Sequence, residues 1–230
     1  MLLNHSLFIK VGLVGLSLAL PLTSSATGLG FDQTRVIIEK GKTAGSLVID
    51  NRGNNAFFVR AHVEDRHHVK TSVAMARPPV FQLNAQKASR IQVAVDRKAV
   101  PDDRESLFWL YTKAYPAQKV DDGKNKLMFN FVTQLKVFYR PEGLSGNLSS
   151  AAKSLQWSVK GGQIVAKNDS PYNISMASYQ LGKRLIDTNH VVEPFSSLPT
   201  GVMVKNRPIR FAWTIINDFG GAETYETELK

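Results

Sequence analysis

The residues best suited to a chemical role in this sequence are a row of apolar side chains followed by a lysine. Leu127, Phe129 and Phe131 occupy alternate positions, and Lys136 lies further along the same segment. Alternate residues of a β-strand point to one side of a sheet, so the three side chains would form an apolar stripe. Such a stripe beside a positive charge suits the binding of another chain's C-terminal strand, with the ammonium taking the terminal carboxylate. An ordinary core strand followed by a surface lysine explains the same segment, and the segment taken alone favours that explanation.

Metal and catalytic chemistry have less support. His62, His67 and His68 lie close together, but no carboxylates with ligand spacing accompany them, which favours solvent-exposed histidines over a metal site. The chain has no cysteine, which excludes cysteine catalysis and thiolate metal sites. It also lacks the G-x-S-x-G motif and a recognisable pair of catalytic carboxylates. We therefore predict a binding protein without enzymatic activity, cofactor or metal ion.

Short strands separated by turns must position these residues. The strand segments are rich in β-branched and aromatic residues, and glycine, asparagine and proline turns separate them. In the first half of the chain they are Arg35–Ile38, Ser46–Asp50, Phe57–Val63, Arg90–Val95, Leu107–Ala114 and Leu127–Tyr139. In the second half they are Leu155–Val159, Gln163–Lys167, Tyr172–Leu181, Val191–Phe195, Ser197–Met203 and Arg210–Ile216. The small, polar segment Pro141–Ser154 between the two blocks reads as a linker, and no window shows helical periodicity with caps, so we predict two all-β sandwiches.

The first residues read as an export signal. Lys10 precedes the apolar run Val11–Leu22, and small residues ending at Ala26 suit a signal peptidase, so we expect cleavage near Ala26 and an exported protein. The run is too short to favour a permanent membrane anchor, and no later segment is long enough to span a bilayer. Removing 26 residues from 230 leaves 204, enough for two domains of ordinary size.

The charge is strongly basic. The chain has 29 lysines and arginines against 19 acidic residues; only Lys10 lies in the predicted signal, so the mature charge is 28 minus 19, or +9. A basic surface suits nucleic acid, an anionic membrane face or an acidic protein. The cations are scattered and no aromatic RNA-binding motif is present, so we do not expect a nucleic-acid partner.

Five strings together resemble one known family. They are Thr34–Ile37 (TRVI), Arg77–Leu83 (RPPVFQL), Pro101–Trp109 (PDDRESLFW), Leu135–Pro141 (LKVFYRP) and Asn217–Gly221 (NDFGG). In this order they resemble the PapD-like periplasmic chaperones of the chaperone–usher pilus pathway. The resemblance covers essentially the whole mature sequence.

The resemblance implies a fold, a role and partners. The fold would be two immunoglobulin-like domains set at an angle with a cleft between them, at 27–145 and 150–230, after a signal peptide at 1–26. The protein would bind, fold and cap pilus subunits in the periplasm by donor-strand complementation and deliver them to an outer-membrane usher, without stable membrane insertion.

The resemblance also implies three groups of site residues. Arg35 and Lys136 would anchor the C-terminal carboxylate of the subunit. The donor strand would supply the alternating apolar row already described. The third group would be an interdomain ion network that orients the domains: Glu105, Arg140 and Asp218.

A different class of protein remains open at this point. An exported immunoglobulin-like structural or adhesive protein could associate through its own edge strands. The mature start at Thr27–Thr34 lacks the alternating apolar extension that a polymerising subunit needs. A chaperone with an open edge could also cap itself as a homodimer when no subunit is bound.

Overall fold

The computed structural model describes residues 28–117, 129–205 and 208–229. The predicted signal peptide at 1–26 and the donor-strand residue Leu127 lie outside the described residues. The rest of the candidate site can be placed.

The first half of the chain forms a two-sheet sandwich. One sheet has the order β1–β3–β7–β5 and the other β2–β9–β8–β4–β6. A 3₁₀ turn at Arg97–Ala99 precedes β8. The strands are β1 (Leu29–Phe31), β2 (Arg35–Ile38), β3 (Ala44–Asn51), β4 (Phe57–Asp65), β5 (Ala74–Arg77), β6 (Val80–Leu83), β7 (Ala88–Val95), β8 (Ser106–Pro116) and β9 (Phe131–Tyr139).

Alternation along the strands builds the first core. In β4 the residues Phe57, Val59, Ala61 and Val63 are buried, while the residues between them face outward. The buried rows of both sheets pack together, with Ile91 of β7 and the alternate residues of the other strands in one cluster. This is the pattern of a sheet with one face on the core and one face in solvent.

The first two described strands, β1 and β2, belong to different sheets. β1 pairs with β3 in the first sheet, and Asp32 still exchanges hydrogen bonds with Val48 of β3. The chain then crosses over, and β2 pairs with β9 in the second sheet, in parallel. Because β2 begins only at Arg35, it covers only the C-terminal part of β9.

The second half of the chain forms a second sandwich with its own core around Tyr179, Phe211 and Trp213. Its sheets have the orders β10–β11–β15 and β13–β12–β16–β17, with β14 also on β12. A short helix, α1 (Leu148–Lys153), packs under it. The strands are β10 (Gln156–Lys160), β11 (Gln163–Asn168), β12 (Ile174–Leu181), β13 (Arg184–Asp187), β14 (Val191–Val192), β15 (Ser196–Met203), β16 (Ile209–Ile216) and β17 (Ala222–Leu229).

The all-β fold of two sandwiches is confirmed, but three local expectations were wrong. The expected linker Pro141–Ser154 contains α1, which begins at a capping box formed by Asn147 and Ser150. The strand expected from Leu127 begins, in the part that the structure describes, only at Phe131. Five strands had not been expected, namely β1, β5, β6, β13 and β17; β17 was missed because three of its eight residues are glutamates.

The described residues hold no helix that is both long and apolar enough to cross a membrane. They also hold no group of three or more histidine, aspartate or glutamate side chains arranged to bind a metal ion. His68 and His62 instead contact Gln134 and Glu64, at 2.7 and 2.9 Å.

Candidate functional site: a cation pair at the end of an open strand edge

Arg35 and Lys136 are direct neighbours in the second sheet. They are partnered residues in the parallel pair of β2 and β9, so their side chains leave the sheet on the same side. Val36 and Val137, one residue further along each strand, point the other way into the core. The alternation that buries these valines therefore places two cations side by side on the outer face.

Contacts within the protein hold both side chains in place. Arg35 is only 7% exposed, and its Nη1 donates a 2.9 Å hydrogen bond to the carbonyl oxygen of Ile216 in the second sandwich. The guanidinium carbon lies 5.9 Å from the ring centre of Phe138. Lys136 Nζ lies 5.5 Å from the ring centre of Trp109, its partner on β8. Both cations are positioned by packing against aromatic rings.

The charges of the pair are not neutralised within the part of the chain that the structure describes. Neither Arg35 nor Lys136 forms an ion pair there, and the Nε of Arg35 is buried without a hydrogen-bond partner. Burial and the neighbouring Arg35 lower the pKa of Lys136 to about 8. Burial also lowers the pKa of Arg35, and Asp218 opposes this effect. An anion placed between the two side chains would relieve both the repulsion and the unmet hydrogen bond.

The edge of β9 that leads to the pair is open. On one side β9 pairs with β8 from Phe131 to Tyr139, whereas on the other side β2 pairs only from Lys136 onward. Among the described residues no strand pairs with that second side between Phe131 and Leu135. The main-chain groups there can accept an added strand.

The predicted donor-strand phenylalanines lie at the start of this open edge. Phe129 is 65% exposed and precedes β9, and Phe131 is 43% exposed. Phe131 shares its parity with Leu135 and Val137, which pack into the first core, and its ring meets Phe57 edge-on at 5.7 Å. The exposed side chains of Phe129 and Phe131 therefore extend the row of core residues formed by Leu135 and Val137 toward the open start of β9.

The three residues expected to form an ion network lie together between the sandwiches. Arg140 Nε donates to Glu105 Oε1 at 2.6 Å, and the two Nη atoms donate to the carboxylate oxygens of Asp218 at 2.7 and 2.8 Å. Glu105 immediately precedes β8 and Arg140 immediately follows β9, both in the first sandwich. Asp218 belongs to the β16–β17 turn of the second sandwich. One guanidinium therefore joins carboxylates from both halves of the chain.

The network is buried and further connected. Glu105 Oε2 accepts a 2.8 Å hydrogen bond from the backbone N–H of Asn173, and Glu105 N–H donates to Pro171 O at 2.9 Å. Burial raises the pKa of Glu105, and Arg140 opposes that rise. Burial alone would lower the pKa of Arg140, but its bonds to the two carboxylates raise the pKa above the ordinary value. The buried guanidinium of Arg140 thus donates hydrogen bonds to carboxylates of both sandwiches.

Family comparison covers nearly the whole described chain. The model described as "Pili and flagellar-assembly chaperone, PapD N-terminal domain" matches residues 28–145. The model described as "Pili assembly chaperone PapD, C-terminal domain" matches residues 150–227. The chain belongs to the PapD family of pili assembly chaperones.

Individual members of the PapD family are similar over most of their length. Chaperone protein LpfB of Salmonella typhimurium is 32% identical over 206 residues, covering 86% of this chain and 88% of LpfB. The crystal structure of the YadV chaperone is 29% identical, covers 87% of this chain and 99% of YadV, and gives a TM-score of 0.74. The fold also matches a Salmonella enterica SafA pilin in complex with the SafB chaperone, with a TM-score of 0.77, 23% identity and coverage of 90% of this chain and 98% of that one.

Sequence reasoning missed a second set of contacts between the two PapD domains. Arg66 pairs with Glu193 at 2.5 Å, and the guanidinium of Arg104 lies 4.9 Å from the ring centre of Phe195. These residues line an interdomain cavity of about 680 Å³. They sit in turns, where no periodicity marks them, although Arg104 lies within the PDDRESLFW string.

Proposed function

We propose that this protein binds pilus subunits that lack their final strand, completes them by donor-strand complementation and keeps them soluble. The observation that carries the proposal is the position of Arg35 and Lys136, two adjacent cations that form no ion pair with any described residue, at the point where the open edge of β9 ends. Donor-strand complementation is a known form of β-augmentation, in which main-chain hydrogen bonds provide affinity and side-chain pockets provide specificity.

The geometry supports one direction for the bound strand. A subunit strand on the open edge of β9 with its carboxylate between Arg35 and Lys136 would run from the Phe131 end toward the Lys136 end, parallel to β9. Its last residue would meet the first residue of β2, which already occupies the edge from Lys136 onward. The cations and the end of β2 would together recognise a free C-terminus.

Register is the physical reason for a charge at the end of an apolar row. A slip of one residue turns every side chain of a strand to the opposite face. With the carboxylate fixed at Lys136, the side chains of Phe129 and Phe131 would enter the unfinished core of the subunit at set depths. The roles of Leu127, Glu105, Arg140 and Asp218 remain proposals of the same kind, as donor residue and as interdomain network.

We propose a setting for this function that the family and the sequence support. We place the protein in the periplasm after removal of residues 1–26, with the outer-membrane usher as the recipient of its subunits. It would act by binding, with no catalytic step. Family membership supports this role over that of a structural or adhesive protein that associates with its own copies.

The test is co-expression with the pilus subunit encoded beside it, using the wild type, Lys136→Ala and Lys113→Ala. Lys113 is the matched control: it is a partly buried lysine on the same sheet face, with its Nζ 5.0 Å from the ring centre of Tyr115. We expect a soluble one-to-one complex with the wild type and Lys113→Ala, and its loss with a folded Lys136→Ala. A subunit that stays equally soluble with Lys136→Ala would overturn the anchor.

A second experiment tests whether binding requires a free C-terminus of the subunit. A subunit extended by a few residues after its native end should no longer be held, because the extension would collide with β2. Undiminished binding of the extended subunit would contradict the proposed direction and favour simple edge association.

A further inference from the structure

The turn between β16 and β17 displays a phenylalanine that contacts almost nothing. Phe219 is 98% exposed. The turn itself is tightly held by Asn217, whose Oδ1 accepts hydrogen bonds from the N–H groups of Phe219 and Gly221 at 3.1 and 2.8 Å. The Asn217 N–H donates to the Gly221 carbonyl oxygen at 2.8 Å. The backbone therefore fixes the position of Phe219 without any help from its side chain.

The turn is attached to the first domain on both sides of Phe219. The preceding residue, Asp218, accepts two hydrogen bonds from Arg140. The following residue, Gly220, lies so close to Thr34 that a β carbon at position 220 would be 2.6 Å from Thr34 Oγ1. With φ at +83°, position 220 also favours glycine on backbone grounds.

The attachment places Phe219 beside the proposed carboxylate anchor. Thr34 immediately precedes Arg35, and the carbonyl of Ile216, at the start of the same turn, accepts the hydrogen bond of Arg35. A ligand that reaches Arg35 thus arrives next to an exposed aromatic side chain carried by a fixed turn of the second domain.

We propose that Phe219 is a second contact point for the pilus subunit whose C-terminal carboxylate lies between Arg35 and Lys136. This inference rests on the proposed function. An aromatic ring on a fixed turn loses little conformational entropy when it is buried, and aromatic residues including phenylalanine are enriched in the buried cores of protein interfaces. The partner surface would be an apolar patch of the subunit near its C-terminal end.

The chemistry of the contact sets the size of the effect. Burying a phenylalanine side chain against an apolar partner corresponds to roughly a ten- to hundredfold change in affinity. We expect most of the change in the dissociation rate, as is usual for contacts within one interface.

The test measures transfer of the subunit between chaperones. A complex of labelled wild-type protein with the co-expressed subunit is mixed with an excess of unlabelled Phe219→Ala, Phe219→Tyr, Leu185→Ala or Lys136→Ala protein. Leu185 is the matched control, being an apolar residue of the second domain that is 65% exposed on β13. Thermal unfolding of each variant alone checks that it is folded, which an exposed position such as 219 should not affect.

We expect Phe219→Ala to compete roughly ten- to hundredfold less well than the wild type, with Phe219→Tyr and Leu185→Ala close to the wild type. If Phe219→Ala competes as well as the wild type while Lys136→Ala does not, the inference about Phe219 is wrong and the proposed function stands. If Lys136→Ala also competes fully, the proposed anchor fails, and the contact proposed for Phe219 fails with it.

Discussion

Lys136 is a residue whose environment suits a bound partner better than the free protein. It packs on Trp109 and is partly buried beside Arg35, and this burial and the charge of Arg35 lower its pKa to about 8. The free protein therefore carries an electrostatic cost at this position that a carboxylate would remove. This is the usual pattern of a binding site, where groups are arranged for the ligand at the expense of stability.

The first prediction concerns the pH dependence of subunit binding. A bound carboxylate raises the pKa of Lys136 again, so binding takes up a proton once Lys136 is neutral in the free protein. Affinity should be constant from about pH 6 to pH 7 and fall above pH 8, by about fivefold between pH 8 and pH 9. A competition assay across this range measures the effect. Lys136→Arg should bind with nearly constant affinity over the same range, because arginine does not titrate there.

The second prediction concerns stability without a partner. A lysine with a lowered pKa destabilises the folded state while it is charged, and the cost disappears as the pH rises from about 8 toward its ordinary value of 10.5. Lys136→Met should therefore raise the free energy of unfolding at pH 7 by about 1–2 kcal/mol, allowing for partial exposure. Urea denaturation at pH 7 and pH 10 checks both the gain and its decline. An equal or lower stability of Lys136→Met at pH 7 would count against this account.

At the scale of elements, the network around Arg140 joins the end of β9 to the β16–β17 turn. Glu105 is buried among these elements, so its charge depends on the guanidinium. We propose that the network sets the relative position of the two domains, because a buried ion pair brings little gain in stability over apolar packing.

The third prediction is that Arg140→Ala destabilises the protein by about 3–5 kcal/mol, because it leaves the Glu105 carboxylate buried and unpaired. Arg210→Ala is the matched control, since Arg210 forms a bidentate ion pair with Glu226 on the exposed face of β16 and β17. The control should lose far less, as exposed pairs do. Calorimetry of both variants measures the difference, and equal losses would show that burial does not matter here.

At this scale, the sequence was informative where one strong pattern dominated. The alternation in β4 and β8 placed those strands, and Arg35–Ile38 coincides with β2. α1 was missed because its stability comes from a capping box and from packing of small residues, which leave no long apolar period. The neighbourhood of Arg35 and Lys136 could not be read from spacing at all. A parallel pairing between distant segments depends on the whole fold, and only the family resemblance suggested it.

Two opposing forces act on the whole molecule when no subunit is present. The open edge of β9, with Phe129 and Phe131 exposed, favours association with another strand. The charge of +9 expected for the mature chain, 28 cations against 19 anions, repels a second copy. Salt screens the repulsion but leaves the apolar contact intact.

The last prediction is that the free protein associates into a homodimer through the open edge, and that the dimer becomes more stable as salt increases. Sedimentation equilibrium at about 50 and 500 mM salt, between which the Debye length shortens from roughly 14 Å to roughly 4 Å, measures this. Phe131→Glu should remain monomeric because it places a charge on the apolar row, whereas Phe58→Glu, at a similarly exposed position on β4, should still associate. Added subunit should dissociate the dimer, since both partners use the same edge.

A wild-type protein that stays monomeric at high concentration and high salt would mean that the open edge of β9 alone binds a second copy too weakly to form a dimer. Selectivity for subunits would then rest on the carboxylate anchor formed by Arg35 and Lys136.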